Sequence, residues 1–329
     1  MPRSAIILRM KSAAAALILV ALFASPLHAQ TAVSDQLPAK TGAPLTPPAP
    51  TAYKLWPDVN VNVVVTGKHD VPQAVDQHTF QLFEDGAERP LRFPALADSP
   101  ISVALLMDLS SSTFEHTPEI ISAVKTIVHA LPADSEVTVL DVSSGLPFLD
   151  VPLKPASRAD LSVLDKLQPN GATDLWDALV DTESYLAAEA KYPRRALVIF
   201  SDGLDNVSYA NALAVSRATQ QTGAPLVYSC FVAKINFMPS RFGLLNMKRI
   251  AKEGGGMLFS FNGDVRFDPD PAAAATVAAR IADAISHQYV LQFTAADATR
   301  DGKAHKLKLR LPDKDVEIHA LPAYFAPPN

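Results

Sequence analysis

Between residues 100 and 287 the chain repeats one pattern: a short uninterrupted apolar run, then a longer segment whose apolar residues return every three or four positions. Residues 101–107, 196–200 and 226–232 are the clearest runs. They are too short for ordinary helices and lack polar alternation, which predicts strands buried on both faces. Ile120, Val124, Ile127 and Leu131 lie at helical spacing, after Thr117 as N-cap and Pro118 at the first helical position. Helices are expected over 175–190, 211–222 and 272–285, and around Leu244, Met247, Ile250 and Ala251. Weaker strands are expected over 137–142 and 257–261, and a short helix after Ser157. Strands alternating with helices predict the α/β class: a doubly wound, mostly parallel, Rossmann-like sheet with helices on both faces.

The flanks read differently. Val59, Val61, Val63 and Val65 alternate with other residues at strand period, and Asp85-Gly86 marks a hairpin turn after Phe80, Leu82 and Phe83. Residues 91–93 return as a strand. Near the end, Tyr289, Leu291 and Phe293 alternate, Asp301-Gly302 marks a turn, and Leu307, Leu309 and Leu311 alternate again, which predicts a second hairpin. The two β pieces are expected to pack as one small module. The organisation predicted is a signal peptide at 1–29, a proline-rich linker at 30–57, a β segment at 58–97, an α/β domain at 98–287 and a closing β segment at 288–329.

The N-terminus has the three parts of a secretory signal: Arg3, Arg9 and Lys11, then an apolar stretch at 12–24, then Leu27-His28-Ala29. Cleavage after Ala29 removes three basic residues and no acid, taking the formal net charge from -5 to -8. An exported protein is therefore expected: periplasmic, in the cell envelope or secreted. No twenty-residue apolar stretch follows residue 30, so no membrane span is expected after cleavage. The negative charge argues against nucleic acid as a partner. The single cysteine, Cys230, excludes an intrachain disulfide and a Cys-rich zinc site, and its apolar run predicts a buried filler.

In open α/β sheets, ligands sit beyond the carboxyl ends of the strands. Three segments fall there: Asp108-Leu109-Ser110-Ser111-Ser112, Gly171-Ala172-Thr173-Asp174 and Ser201-Asp202-Gly203. Their hydroxyls and carboxylates are hard oxygen donors, suited to Mg²⁺, Mn²⁺ or Ca²⁺. Asp108, Ser110 and Ser112 are spaced so that an extended or looping segment can turn all three toward one point.

These residues resemble the metal-ion-dependent adhesion site of von Willebrand factor A domains, in which Asp-x-Ser-x-Ser is followed by a distant Thr and a later Asp-Gly. The chain is similar, more narrowly, to the VWFA-related domain proteins of Acidobacteria. The matching pieces are residues 80–86, 106–112, 196–203, 288–291 and 301–306, so the likeness covers roughly 59–326. The resemblance implies direct metal contacts from Ser110 and Ser112, Thr173 bound directly or through water, and Asp108 and Asp202 holding metal-bound waters. Asp174 and Asp205 lie near enough in sequence to join. Ser111 stands where the family commonly has Gly.

The function expected from this resemblance is binding of a protein ligand whose carboxylate completes the coordination of Mg²⁺, without catalysis. No P-loop or Gly-x-Ser-x-Gly elbow occurs, and the eight histidines show no metal spacing. Two alternatives stand beside it. One is a metal-assisted hydrolase, with Asp174, Asp205 or Glu115 as base. The other is a scaffold whose site is vestigial, with the β module making the contacts.

Overall fold

Along the chain, β1 (Ala43–Pro44) and β2 (Asp58–Thr66) precede a hairpin of β3 (Gln81–Glu84) and β4 (Ala87–Arg89), then β5 (Arg92–Ala95). The alternating region follows: β6 (Ser102–Asp108), α1 (Thr117–Ala130), β7 (Glu136–Ser143), β8 (Leu146–Pro155), α2 (Leu175–Glu189), β9 (Arg195–Ser201), α3 (Ala212–Thr219), β10 (Leu226–Phe231), α4 (Met238–Glu253), β11 (Met257–Ser260) and α5 (Pro271–Ser286). Last come β12 (Tyr289–Thr294), β13 (Ala304–Arg310), β14 (Glu317–Ala320) and β15 (Ala323–Phe325). This computed structural model describes residues 43–45, 55–143, 146–233, 238–261, 271–296 and 300–328. They belong to one unit, Lys40–Asn329. The signal segment 1–29 and most of the proline-rich stretch lie outside the described residues.

The central sheet has the order β1-β8-β7-β6-β9-β10-β11. From β7 to β11 all neighbours are parallel, while β8 and β1 add antiparallel pairs at one edge. The architecture is therefore a Rossmann-like α/β fold, with a mostly parallel sheet flanked by helices. Each apolar strand feeds both faces, as a doubly covered strand must. Val103, Leu105 and Met107 of β6 join the core made with α1 and α5. Ala104 and Leu106 join the core made with α2, α3 and α4. Full burial of a leucine side chain contributes roughly 1.5–3 kcal/mol, so these strands anchor whatever their ends carry.

The flanking strands build two four-stranded antiparallel sheets, β14-β2-β12-β5 and β15-β13-β3-β4. Val59, Val61, Val63 and Val65 of one sheet meet Leu82, Leu307 and Tyr324 of the other in a shared core. Both β pieces of the sequence thus enter one sandwich, but not by the expected pairing. Tyr289–Thr294 and Ala304–Arg310 are not hairpin partners: β12 pairs with β2 and β5, and β13 with β3 and β15. Alternation shows that a strand has one buried face and says nothing about its neighbour.

Three further expectations shift. Thr117 is already inside α1, because a 3₁₀ turn at Phe114–His116 starts the helical path earlier. Strand β8, rich in proline and half-exposed, was not anticipated. Ala43–Pro44, read as linker, lies along β8 as a short edge strand.

Sandwich and α/β body meet through buried polar groups. Asn62 of β2 donates to the carbonyl of Ala224 at 2.9 Å and accepts from the amide of Arg195 and from Gln288. Gln288 also accepts from the Tyr228 hydroxyl. Arg194, fully buried, donates to the last carbonyls of α5, Ile285 and Ser286, and to the carbonyl of Ser99.

Candidate functional site

The order of the central sheet reverses its winding between β6 and β9. The chain leaves β6 toward β7 on one side and leaves β9 toward β10 on the other, so the loops diverge and a crevice opens above the two strand ends. Asp108 is the last residue of β6, and Asp202 follows the last residue of β9. The segment before α2 carries Thr173 and closes the third side.

The structure brings these three segments together with backbone bonds. The amide of Asn170 donates to the Leu109 carbonyl at 2.8 Å, and that of Ser111 donates to Gly171 at 3.2 Å. Thr173 is buried, with its amide on the side chain of Asn206 at 3.0 Å and its carbonyl accepting from the amides of Asn206 and Val207. Asp108, Ser110 and Ser112 thus stand at the end of β6 and Asp202 at the end of β9, with Thr173 tied to the loop after β9 through Asn206 and Val207.

Their oxygens turn to protein donors. Asp108 is fully buried; one carboxylate oxygen accepts the Ser110 amide at 3.1 Å and the other the Ser201 hydroxyl at 2.6 Å. The Ser201 oxygen in turn accepts the Gly203 amide at 2.9 Å. Ser110 and Ser112 share a hydroxyl–hydroxyl bond at 3.1 Å. Asp202 accepts the Leu204 amide at 2.9 Å. Thr113, also buried, clamps the loop by donating to the carbonyls of Asp108 and Ser110.

Burial decides the electrostatics. Desolvation, together with the neighbouring Asp202 charge, pushes the Asp108 carboxyl up to about 7 despite its serine bonds. Desolvation also raises Asp202, partly offset by the Leu204 amide, Ser112 and His116. Near neutral pH the pair therefore shares less than two full negative charges.

The metal expectation is overturned here. Among the described residues, no group of three or more His, Cys, Asp or Glu side chains is gathered to hold a metal ion. The carboxylates of Asp108 and Asp202 are both pushed toward their neutral form and bonded to protein donors. That donor set does not fit the Mg²⁺, Mn²⁺ or Ca²⁺ centre read from Asp108, Ser110, Ser112, Thr173 and Asp202. The expected metal-dependent adhesion, and a partner carboxylate bound through the ion, fall with it. The spacing of hydroxyls and acids does not show which partners saturate the oxygens.

Of the other acids considered, Asp205 has structural work. Asp205 accepts the amides of Trp176 and Ser208 and the Ser208 hydroxyl, so it caps α2 from the loop after β9. Ser208 supplies a second cap, accepting the Asp177 amide, and the Asp177 carboxylate returns two bonds to the amides of Tyr209 and Ala210. Asp174 occupies the N-cap position of α2. Glu115 is exposed. The sequence reading missed Gly243 of α4, whose backbone lies against that of Gly203. A Cβ on Gly203 would strike the Gly243 carbonyl, and one on Gly243 would strike the Asp202 carbonyl. Glycine at a helix position otherwise disfavoured was the available signal.

No protein-family model matches the chain, and the search of curated proteins gives no match. Among solved structures it is similar to a von Willebrand factor type A protein from Catenulispora acidiphila, with TM-score 0.47 and 13% identity over 74% of this chain and 75% of that one. It is also similar to the pilus adhesin SpaC from Lactobacillus rhamnosus GG in its open conformation, with TM-score 0.47 and 11% identity over 79% of this chain. A further similar structure is proximal thread matrix protein 1 from the mussel byssus, with TM-score 0.44 and 14% identity over 58% of this chain and 49% of that one. The chain spans about half the length of the adhesin, 49%. Among the described residues no helix is long and apolar enough to cross a membrane.

Proposed function

We propose that this chain is an exported, non-catalytic scaffold with a von Willebrand factor A-like body, of the kind found in the VWFA-related domain proteins of Acidobacteria, and that its crevice is a vestigial metal site. The observation that carries this reading is the closure of the cluster on itself: both carboxylate oxygens of Asp108 are bonded to protein donors, and the hydroxyls of Ser110 and Ser112 to each other. In this reading Asp108, Ser110, Ser112, Thr173 and Asp202 tie loops together. Asp108 is fully buried, out of reach of a substrate. The signal read in residues 1–29 supports export to the periplasm, cell envelope or medium.

A scaffold needs a contact surface, and Tyr209 supports one beside the crevice. Its side chain is 98% exposed, while its amide is held by the Asp177 carboxylate at 2.9 Å. An aromatic ring held out on a bonded backbone suits a protein partner, since aromatic residues anchor interfaces. Exposed Phe114 and Val207 lie in the same loop set.

The test has two arms on the full chain. Titration of Mg²⁺ and Mn²⁺ by calorimetry is expected to give no saturable heat. Partner capture from envelope extract is expected to be equal with and without chelator, and to fall in Tyr209→Ser. Stoichiometric metal binding that disappears in Asp108→Ala overturns the reading.

A further inference from the structure

At the end of the strands opposite the crevice, by the amino end of β9, a cavity of about 300 Å³ lies between the sandwich and the α/β body. Its walls include Asp58 and Asn60 of β2, Ala187 near the end of α2, and Lys191, Tyr192 and Arg195. We propose that this cavity is a binding site for a small carboxylate group, with the Arg195 guanidinium as its anchor and Lys191 as a second cation at its rim.

The first support is the donor count on Arg195. A guanidinium has five N–H donors in a rigid fork. Among the described residues, those of Arg195 reach three carbonyls at long range: Tyr192 at 3.2 Å, Gly223 at 3.4 Å and Ala190 at 3.5 Å. Donor capacity is left over on a cation that lines the cavity, and a planar carboxylate is the group such a fork matches.

The second support is the charge balance of the walls. Asp58 is the acid in the lining, and it is already paired with Arg92 at 2.5 Å and bonded to Thr294 at 2.7 Å. Lys191 reaches the Tyr192 hydroxyl at 3.1 Å and lies 4.7 Å from the centre of that ring, which holds its ammonium at the rim. Glu183 lies one helical turn before Ala187 and interacts with Arg195. It is fully buried, and among the described residues neither of its carboxyl oxygens has a hydrogen-bond partner. Desolvation raises it well above the ordinary carboxylate range despite the nearby guanidinium, which weakens it as a counter-ion to Arg195; Glu136 also interacts with Arg195, and its carboxylate accepts the Lys191 amide at 2.7 Å from outside the cavity lining.

Size and charge select the ligand class. The volume is at the low end of small-molecule sites, enough for a short organic acid or the last residue of a peptide. The Asp58 carboxylate nearby disfavours a dianionic phosphate relative to a singly charged carboxylate.

The experiment titrates the full chain with butyrate, with a tetrapeptide bearing a free C-terminus, with the same peptide amidated, and with inorganic phosphate. Saturable binding of butyrate or of the free peptide is expected, with phosphate weaker. Loss of binding on amidation assigns the site to a chain terminus, and binding of butyrate alone assigns it to a free acid. Arg195→Lys, which keeps the charge and removes the fork, is expected to weaken binding roughly tenfold. Lys191→Gln, at an exposed position that does not threaten folding, is expected to weaken it about threefold. The proposal is overturned if neither carboxylate saturates, if phosphate binds as tightly as both, or if binding is unchanged in Lys191→Gln and in Arg195→Lys.

Discussion

The hydroxyl of Ser201 donates to a carboxylate oxygen of Asp108 at 2.6 Å, joining the ends of β9 and β6 where the central sheet reverses its winding. Both groups are fully buried. The bond therefore holds the crevice shut at its base and keeps a buried acid supplied with a donor. Ser201→Ala is expected to cost about 1–3 kcal/mol, because it strands an Asp108 oxygen and removes the acceptor of the Gly203 amide. Denaturant midpoints measure this directly. A loss no larger than that of an exposed Ser→Ala change, such as Ser157→Ala, contradicts it.

Asp108 makes stability depend on pH. Its carboxyl is raised from 3.8 in the unfolded chain to about 7 in the fold, by burial first and by the Asp202 charge second. Between those values the folded protein binds the proton and the unfolded chain does not, so stability falls as pH rises from about 4 to about 7. The full effect is of order 4 kcal/mol. Asp108→Asn is expected to flatten this part of the profile in chemical denaturation at pH 5 and pH 8. An unchanged slope in the variant rules out Asp108 as its source.

His305 adds a second, separable contribution in the sandwich. Partial burial disfavours its charged form, but bonds to Asp85 at 2.9 Å and to Asp301 outweigh this and raise its pKa. Its stabilising share is present in full below the unfolded-state value near 6.5 and is lost as pH rises through the folded value. An NMR titration should place the His305 midpoint above that of an unpaired histidine, and Asp85→Asn should lower it. A midpoint that ignores Asp85→Asn shows that the pair does not hold the proton.

Gly243 is the position where one methyl group should do most harm to the crevice. Its backbone lies against the Asp202 carbonyl, and a Cβ there has no room unless the loop after β9 moves. Gly243→Ala is expected to destabilise by about 1–3 kcal/mol, as overpacking does, although alanine is the better helix former. Gly86→Ala provides the contrast: its φ is +90°, but its Cβ meets open space, so the cost there is backbone strain alone. Equal midpoints for wild type and Gly243→Ala contradict the close approach.

Much of the body was legible because burial on two faces leaves a pattern that is hard to mimic. The apolar runs at β6, β9 and β10 and the helical spacing of Ile120, Val124 and Ile127 specify a covered parallel sheet. The rule that loops at strand carboxyl ends gather function singles out Asp108, Thr173 and Asp202. Edge elements were less legible. Strand β8 is antiparallel, half-exposed and proline-bearing, so neither continuous hydrophobicity nor clean alternation marks it.

By itself the sequence determined the α/β class, the alternation of strands and helices, and which oxygen-bearing residues end the strands, because these follow from local periodicity. Only the tertiary structure decided which strands pair, so that β12 and β13 enter different sheets, and where each oxygen finds its partner. Ser201 saturates Asp108 from 93 positions away, and Gly243 meets Asp202 through space. Whether a carboxylate is charged, neutral or open to a cation depends on the desolvation and donors around it, and those are assembled only when distant segments pack.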